Sequence, residues 1–162
     1  MRVKQMIEPV YDKNSKILIL GSFPSIKSRE AGFFYQHPRN RFWQVIGSIT
    51  ETTEYSTIEE QKAMLLKNNI AVWDVIESCD IKGSSDSSIK EVVPADIFRI
   101  LKSAKIQKIF ANGEKSYKLY MKYIYKKDCI EIIKLPSTSP ANAKYSLNML
   151  IDEWKIIKTL KN

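Results

Sequence analysis

Residues 16–43 read KILILGSFPSIKSREAGFFYQHPRNRFW, and the fold follows from how this stretch is parsed. Ile17-Leu18-Ile19-Leu20 is a short unbroken apolar run, the pattern of a strand covered on both faces. It stops at a tight turn, Gly21-Ser22-Phe23-Pro24-Ser25, and a polar loop ending in aromatics follows. Pro38 suits a first helical position, and Phe42, Trp43, Val45, Ile46 and Ile49 give that helix its apolar stripe. A strand whose C-terminal end opens into such a loop places backbone donors, hydroxyls and aromatic faces around one crevice. Open α/β sheets bind their ligands there.

The remaining chain repeats the alternation. Thr57 with Glu60 three residues on has the form of a capping box for a helix reaching Lys67. Residues 70–76, IAVWDVI, read as a second buried strand interrupted by one carboxylate, Asp74. A helix is expected from about Pro94 through Leu101, a third strand over 108–111, then a helix carrying Tyr117, Leu119 and Tyr120. Residues 130–135 make a fourth strand, and a last amphipathic helix runs over roughly 144–160. Four short apolar strands alternating with helices predict an α/β fold, a three-layer αβα sandwich around a four-stranded, mainly parallel sheet. No repeat or linker interrupts residues 1–162, so one domain is expected.

With 162 residues, 44% of them hydrophobic and 27% charged, the chain carries enough apolar surface for such a core. Its 26 basic against 18 acidic residues give a formal charge of +8. That excess invites a polyanion, although a lysine-rich solvated surface is the plainer reading of charge alone. Cys79 and Cys129 are too few and too far apart for a zinc or iron–sulfur ligand set, so no metal and no cofactor is expected. The N-terminal residues lack an apolar signal core, and no run reaches membrane-spanning length. The expected setting is reduced and intracellular, cytoplasmic and associated with the nucleoid, with no membrane partner.

Three loops after strand ends, 21–25, 82–88 and 136–142, are rich in Ser, Gly and Pro. Each alone is ordinary turn chemistry. Together on one edge of a basic protein they offer close backbone approach and hydroxyl donors to phosphates. No Walker loop, GxGxxG, nucleophile elbow or His-rich metal pattern is present. The single histidine, His37, gets a structural reading.

The run GSFPSIKSREAGFFYQHPRNRFW resembles the first motif of the uracil-DNA glycosylase superfamily, in the branch of mismatch-specific uracil/thymine and hypoxanthine (deoxyinosine) DNA glycosylases. Mismatch-specific members carry a Gly-Ile-Asn-Pro-Gly turn, a loop, and His-Pro-x-Asn-Arg-Phe-Trp, which align here without a gap from Gly21 to Trp43. LPSTSPANA, residues 135–143, resembles the second motif, a loop that presses into the DNA minor groove. One departure matters, because Phe23 stands where the mismatch-specific enzymes have their catalytic Asn.

The resemblance implies a monofunctional glycosylase that flips a deaminated base, hypoxanthine above all, out of DNA and hydrolyses its glycosidic bond during base-excision repair. The implied partners are DNA containing that base and the enzymes that process abasic sites, with the protein itself a monomer. A mismatch-specific uracil/thymine enzyme, or a non-catalytic damage-binding module, is the alternative. By the same resemblance Asn40 is the catalytic amide, with a structural amide at a helix start as its other reading. Gly21, Ser22, Phe23 and Pro24 would floor the base pocket, and Tyr35 would either stack on the base or fill the core. Asp74 would read the base edge or serve an ordinary salt bridge or cap. Ser25, Ser137, Ser139, Pro140 and Asn142 are candidates for DNA contact, with Ala141 at the wedge position.

Overall fold

The computed structural model describes residues 1–128 and 130–160. Its seven strands are β1 (Arg2–Lys4), β2 (Ile17–Gly21), β3 (Ile70–Asp74), β4 (Ile76–Asp80), β5 (Lys90–Pro94), β6 (Lys108–Asn112) and β7 (Ile132–Leu135). The helices are α1 (Ile26–Ala31), α2 (Phe42–Thr50), α3 (Ile58–Lys67), α4 (Phe98–Leu101), α5 (Glu114–Tyr123), α6 (Tyr125–Asp128) and α7 (Leu147–Trp154).

The central sheet is four-stranded and parallel, ordered β3-β2-β6-β7. Every residue of β2 and β3 is buried, as strands with helices on both sides require. On one side α2, α3 and α7 pack together, with α3 against β3; α5 lies against β6 and β7 and packs with α6. The expected three-layer sandwich is present. Its core is rich in aromatics, and Trp154, Phe42 and Tyr120 are fully enclosed.

Several local expectations are corrected. Residues 70–76 are not one strand, since the chain leaves the parallel sheet after Asp74. The Val75 N–H donates to the Gly21 carbonyl (2.8 Å) and the Ile76 N–H to that of Ser22 (3.2 Å), which pins this exit beside the first turn. The chain then enters a second, antiparallel sheet, β1-β4-β5, that the sequence reading did not include. β1 and β5 are short and mostly exposed, so they carry too little apolar alternation to announce themselves.

Pro94 does not open a helix. It ends β5 opposite Ile76, and only the single turn of α4 follows. Pro38 does not open one either, because α2 begins at Phe42 after a loop in which the Asn40 N–H donates to the His37 carbonyl (3.0 Å). Within the supposed loop, residues 26–31 form α1, capped by Ser25 and closed by Gly32 at φ 75°. β7 begins at Ile132, two residues later than expected. The last helix is shorter than expected, starting at its Ser146 cap and giving way to a 3-10 stretch, Lys155–Leu160. The Thr57–Glu60 capping box forms as read. Cys129 lies outside the described residues. Among those residues no helix is long and apolar enough to cross a membrane.

Candidate active site

Connections from β2 and β6 run in opposite directions across the sheet, and a crevice opens between their C-terminal ends. It holds a pocket of 280 Å³ lined by residues 21–25, Ser28, Phe34, Tyr35, His37, Asn40, Asp74, Ser84, Asp86, Asn112 and residues 137–141. A larger cavity, 350 Å³, opens at the opposite pole where β2 and β3 begin, among Lys16, Lys67 and Lys158. The polar groups that could do chemistry converge at the smaller one.

The pocket floor is a close approach of three residues. A Cβ on Gly21 would stand 2.5 Å from Asp74 Oδ1 and 2.8 Å from the Tyr35 hydroxyl, so only glycine fits there. Asp74 is 3% exposed. Its Oδ2 accepts from Gln5 Nε2 at 2.7 Å, and Gln5 is fixed by the Ile7 N–H, which donates to its Oε1 at 2.9 Å. The remaining oxygen, Oδ1, faces Gly21. Burial raises the Asp74 pKa to about 7, opposed by the Gln5 hydrogen bond and reinforced by nearby Asp86. The Tyr35 ring stacks on Phe42 at 4.0 Å between centroids, and its backbone is left-handed at φ 55°. Its hydroxyl is buried and makes no hydrogen bond of good geometry among the described residues; burial and the Asp74 charge raise its pKa, and only the nearby Asn112 side chain pulls the other way.

Asn40 is held by its carbonyl oxygen. Oδ1 accepts from the Phe42 N–H (2.9 Å) and from Thr138 Oγ1 (2.8 Å). Because a backbone N–H can only donate, this fixes the amide orientation and leaves the NH₂ group as the one that meets the pocket. Thr138 is fully buried and in turn grips Asn112, whose Nδ2 donates to Thr138 Oγ1 (3.0 Å) and whose Oδ1 accepts from the Thr138 N–H (3.0 Å). The last residue of β6 and the loop after β7 thus orient a side chain from the loop before α2.

That loop, 136–142, is clamped from behind. The Arg41 guanidinium donates to the carbonyls of Ser139 (2.8 Å), Asn142 (3.2 Å) and Thr138 (3.4 Å), and also to that of Tyr145. Trp154 donates from Nε1 to the Pro136 carbonyl at 2.9 Å. Gly113, at φ 98°, lets Ser137 approach, since a Cβ there would meet Ser137 Cβ at 3.1 Å. Side chains of the loop also brace it. Ser137 Oγ accepts from the Ser139 N–H, Ser139 Oγ accepts from the Ala141 N–H, and Asn142 Nδ2 donates to the Ser137 carbonyl. Pro140 and Ala141 form the exposed tip.

The third polar loop arrives by a route the sequence did not suggest. It joins β4 to β5 in the second sheet, yet it reaches back over the pocket. Ser84 Oγ accepts from the Ile26 N–H (2.9 Å), Arg29 donates to the Gly83 carbonyl (3.0 Å), and Ser22 Oγ donates to Asp86 Oδ1 (3.0 Å). Asp86 is exposed as a residue, yet its carboxyl group is screened enough that burial raises its pKa against the pull of Ser22 and Lys115.

The family model of the Uracil DNA glycosylase superfamily matches residues 8–161. The chain belongs to the uracil DNA glycosylase superfamily. It is 32% identical over 159 residues to a hypoxanthine DNA glycosylase of Methanosarcina acetivorans, covering 96% of this chain and 98% of that one. A hypoxanthine DNA glycosylase of Methanosarcina barkeri is 36% identical over 116 residues, 70% of this chain and 73% of that one. Among solved structures, the solution NMR structure of a candidate uracil DNA glycosylase from Methanosarcina acetivorans superposes with a TM-score of 0.82 at 31% identity, covering 97% of this chain and 96% of that one.

In this superfamily member the pocket gathers Gly21, Ser22, Phe23, Pro24, Ser25, Tyr35, Asn40, Asp74, Ser137, Ser139 and Pro140. Asn142 does not line it and faces a neighbouring groove instead. Ser25 spends its hydroxyl on capping α1, accepting from the Ser28 N–H. Phe23 is 8% exposed and carries the Arg29 guanidinium 5.6 Å from its ring centroid. His37 Nδ1 accepts from the Arg39 N–H (3.1 Å). The sequence reading missed Gln5, Asp86, Asn112 and Thr138, and it passed over Arg41 as part of a motif. Only Asn112 offered a local signal, as the polar residue ending an apolar strand.

Proposed function

We propose that this protein is a monofunctional DNA glycosylase, acting as one domain, that removes a deaminated base, hypoxanthine from deoxyinosine above all. The observation carrying this reading is that the Asn40 NH₂ donor and Asp74 Oδ1, an acceptor with no donor among the described residues, share one pocket of nucleobase size. Hypoxanthine presents a ring N–H beside a carbonyl, where adenine presents an acceptor beside an amino group. An ionised Asp74 accepts from the ring N–H and meets adenine with two acceptors face to face. The family's hypoxanthine DNA glycosylases, at 32% and 36% identity, support the same choice.

The reaction requires the nucleotide to leave the stack, at a cost of a few kcal/mol that is smaller at a mismatch. The Tyr35 ring, held by its stack on Phe42, is among the groups lining the pocket and would stack on the base. As the glycosidic bond lengthens, negative charge gathers on the departing base and positive charge on the sugar. Asn40, its oxygen held by Phe42 and Thr138, donates to the base from Nδ2, and the backbone N–H groups of Ser22 and Phe23 add donors. A preorganised donor of this kind lowers a barrier by about 3 kcal/mol. No lysine lines the pocket among the described residues, in keeping with hydrolysis rather than Schiff-base chemistry. The loop 136–142, with Pro140 and Ala141 foremost, enters the duplex, and the product is an abasic site for other enzymes to process.

Labelled duplexes carrying inosine, uracil or only undamaged bases test this directly. Alkali-labile abasic sites at inosine are the expected result. Release of uracil alone would assign the mismatch-specific activity instead, and binding without release of any base would leave a damage-binding module.

A further inference from the structure

Breaking the glycosidic bond is half of a hydrolysis; the water that attacks the sugar must also give up a proton. Asn40 is not the acceptor, because its carbonyl oxygen already takes two hydrogen bonds and it offers the pocket only N–H. His37 is not one either. Its Nδ1 takes the Arg39 N–H, which puts the ring proton of the neutral imidazole on Nε2. Asp74 has one oxygen bound to Gln5 and the other in the floor beside Gly21, where the base edge lies.

Asp86 is left. Ser22, buried at the end of β2, donates to its Oδ1, while no described group donates to Oδ2. The hairpin that carries it is fastened to α1 through Ile26–Ser84 and Arg29–Gly83. It is also stiffened internally, as Ser88 Oγ accepts from the Lys82 N–H (2.8 Å) and donates to the Ser85 carbonyl (2.7 Å). Asp86 lines the same pocket as Asp74, Tyr35 and Asn40, and it is solvent-exposed where those are buried or half-buried. A carboxylate there opposes the approach of DNA phosphates to a protein of charge +8. Its position is costly to binding, and chemistry is what it can return.

We propose that Asp86 is a catalytic residue, the carboxylate that holds the attacking water and takes its proton. This rests on the glycosylase reading above. The bond from C1′ to the base nitrogen breaks with its electron pair going to the base. A lone pair of the water oxygen forms the new bond to C1′. The negative carboxylate faces the cationic sugar until the water proton passes to Asp86 Oδ2, from which it goes on to solvent or the departed base.

The test is single-turnover base release from an inosine duplex by Asp86→Asn, with affinity measured on a duplex carrying 2′-fluoro-deoxyinosine, which resists cleavage. Asparagine still accepts from Ser22, so the hairpin keeps its anchor. Loss of a general base lowers the rate by about 100-fold or more, while affinity stays equal or tightens because a negative charge is gone. Formate offered to Asp86→Ala restores part of the rate by supplying the missing carboxylate. A rate for Asp86→Asn within about threefold of the unaltered protein overturns the assignment, against the hundredfold expected of a general base. So does a parallel fall in rate and affinity, which would mark a structural anchor. If the unaltered protein releases no base from any duplex, the glycosylase reading fails first and this assignment with it; if it does release base, only the behaviour of Asp86 is in question.

Discussion

Asn40 shows how little freedom a side chain in such a site has. Its carbonyl oxygen is used twice, which leaves the NH₂ group for the pocket, so the residue can act there only as a donor. Asn40→Ala is expected to cut single-turnover release of hypoxanthine by about 10²–10³-fold, the size of one lost donor to a developing anion. Affinity for inosine DNA should change only a few-fold. Thr138→Val removes the hydroxyl that orients Asn40 without touching the pocket volume, and a smaller loss of rate, about tenfold, is expected for roughly one hydrogen bond. Asp74 makes a second, opposite-signed prediction. Burial lifts its folded carboxyl to about 7 from the 3.8 of a solvated aspartate, so between those values the folded state keeps a proton that the unfolded state has released. That proton stabilises the fold below the unfolded pKa, and the contribution is lost as pH rises toward 7, with a ceiling of roughly 4 kcal/mol. Asp74→Asn should therefore raise Tm at pH 7–8, the gain shrinking toward pH 4 in a series of melts. Base release from inosine by the unaltered protein should rise through about pH 7 as the carboxylate forms, and Asp74→Asn should flatten that limb. A site carboxylate that costs stability at working pH fits a trade of stability against activity.

At the scale of elements, the loop 136–142 is a rigid part held by Arg41 and Trp154 rather than a flexible finger. Arg41→Lys keeps the charge and loses the planar fork that spans several carbonyls. It should expose the loop to limited proteolysis and weaken base release, whereas a change at the distant α3 cap should not. Thr57→Ala there breaks the capping box and costs about 1 kcal/mol, some 2–4 °C in Tm for a domain of this size, with unchanged catalysis. Elements also mark where the sequence was readable. β2 and β3 were legible because burial on both faces gives an unbroken apolar run, and α3 because its cap is a local chemical pattern. β1, β5 and α1 were not, because short edge strands and a six-residue helix draw their stability from neighbours and leave no period in the sequence.

For the whole molecule, the excess of basic residues predicts binding dominated by phosphate contacts. Affinity for undamaged duplex should fall about tenfold or more between 50 and 200 mM salt, linearly on logarithmic axes. A flat response would leave the charge as a solubility device.

The sequence by itself determined the α/β architecture, the family, and the first-motif segment whose Gly21, Tyr35 and Asn40 meet in one pocket. These are properties of local runs and spacings along one stretch of chain. Only the tertiary structure decided which end of the Asn40 amide faces the pocket, that Gln5 holds Asp74, that Asn112 and Thr138 tie two strand ends together, and that Asp86 returns from a second sheet. The physical reason is separation along the chain. Gln5 and Asp74 are 69 residues apart, Asn40 and Thr138 98, and Ser22 and Asp86 64. Contacts at that range leave no trace in local periodicity, and they exist only once the sheet has brought its strand ends to one edge.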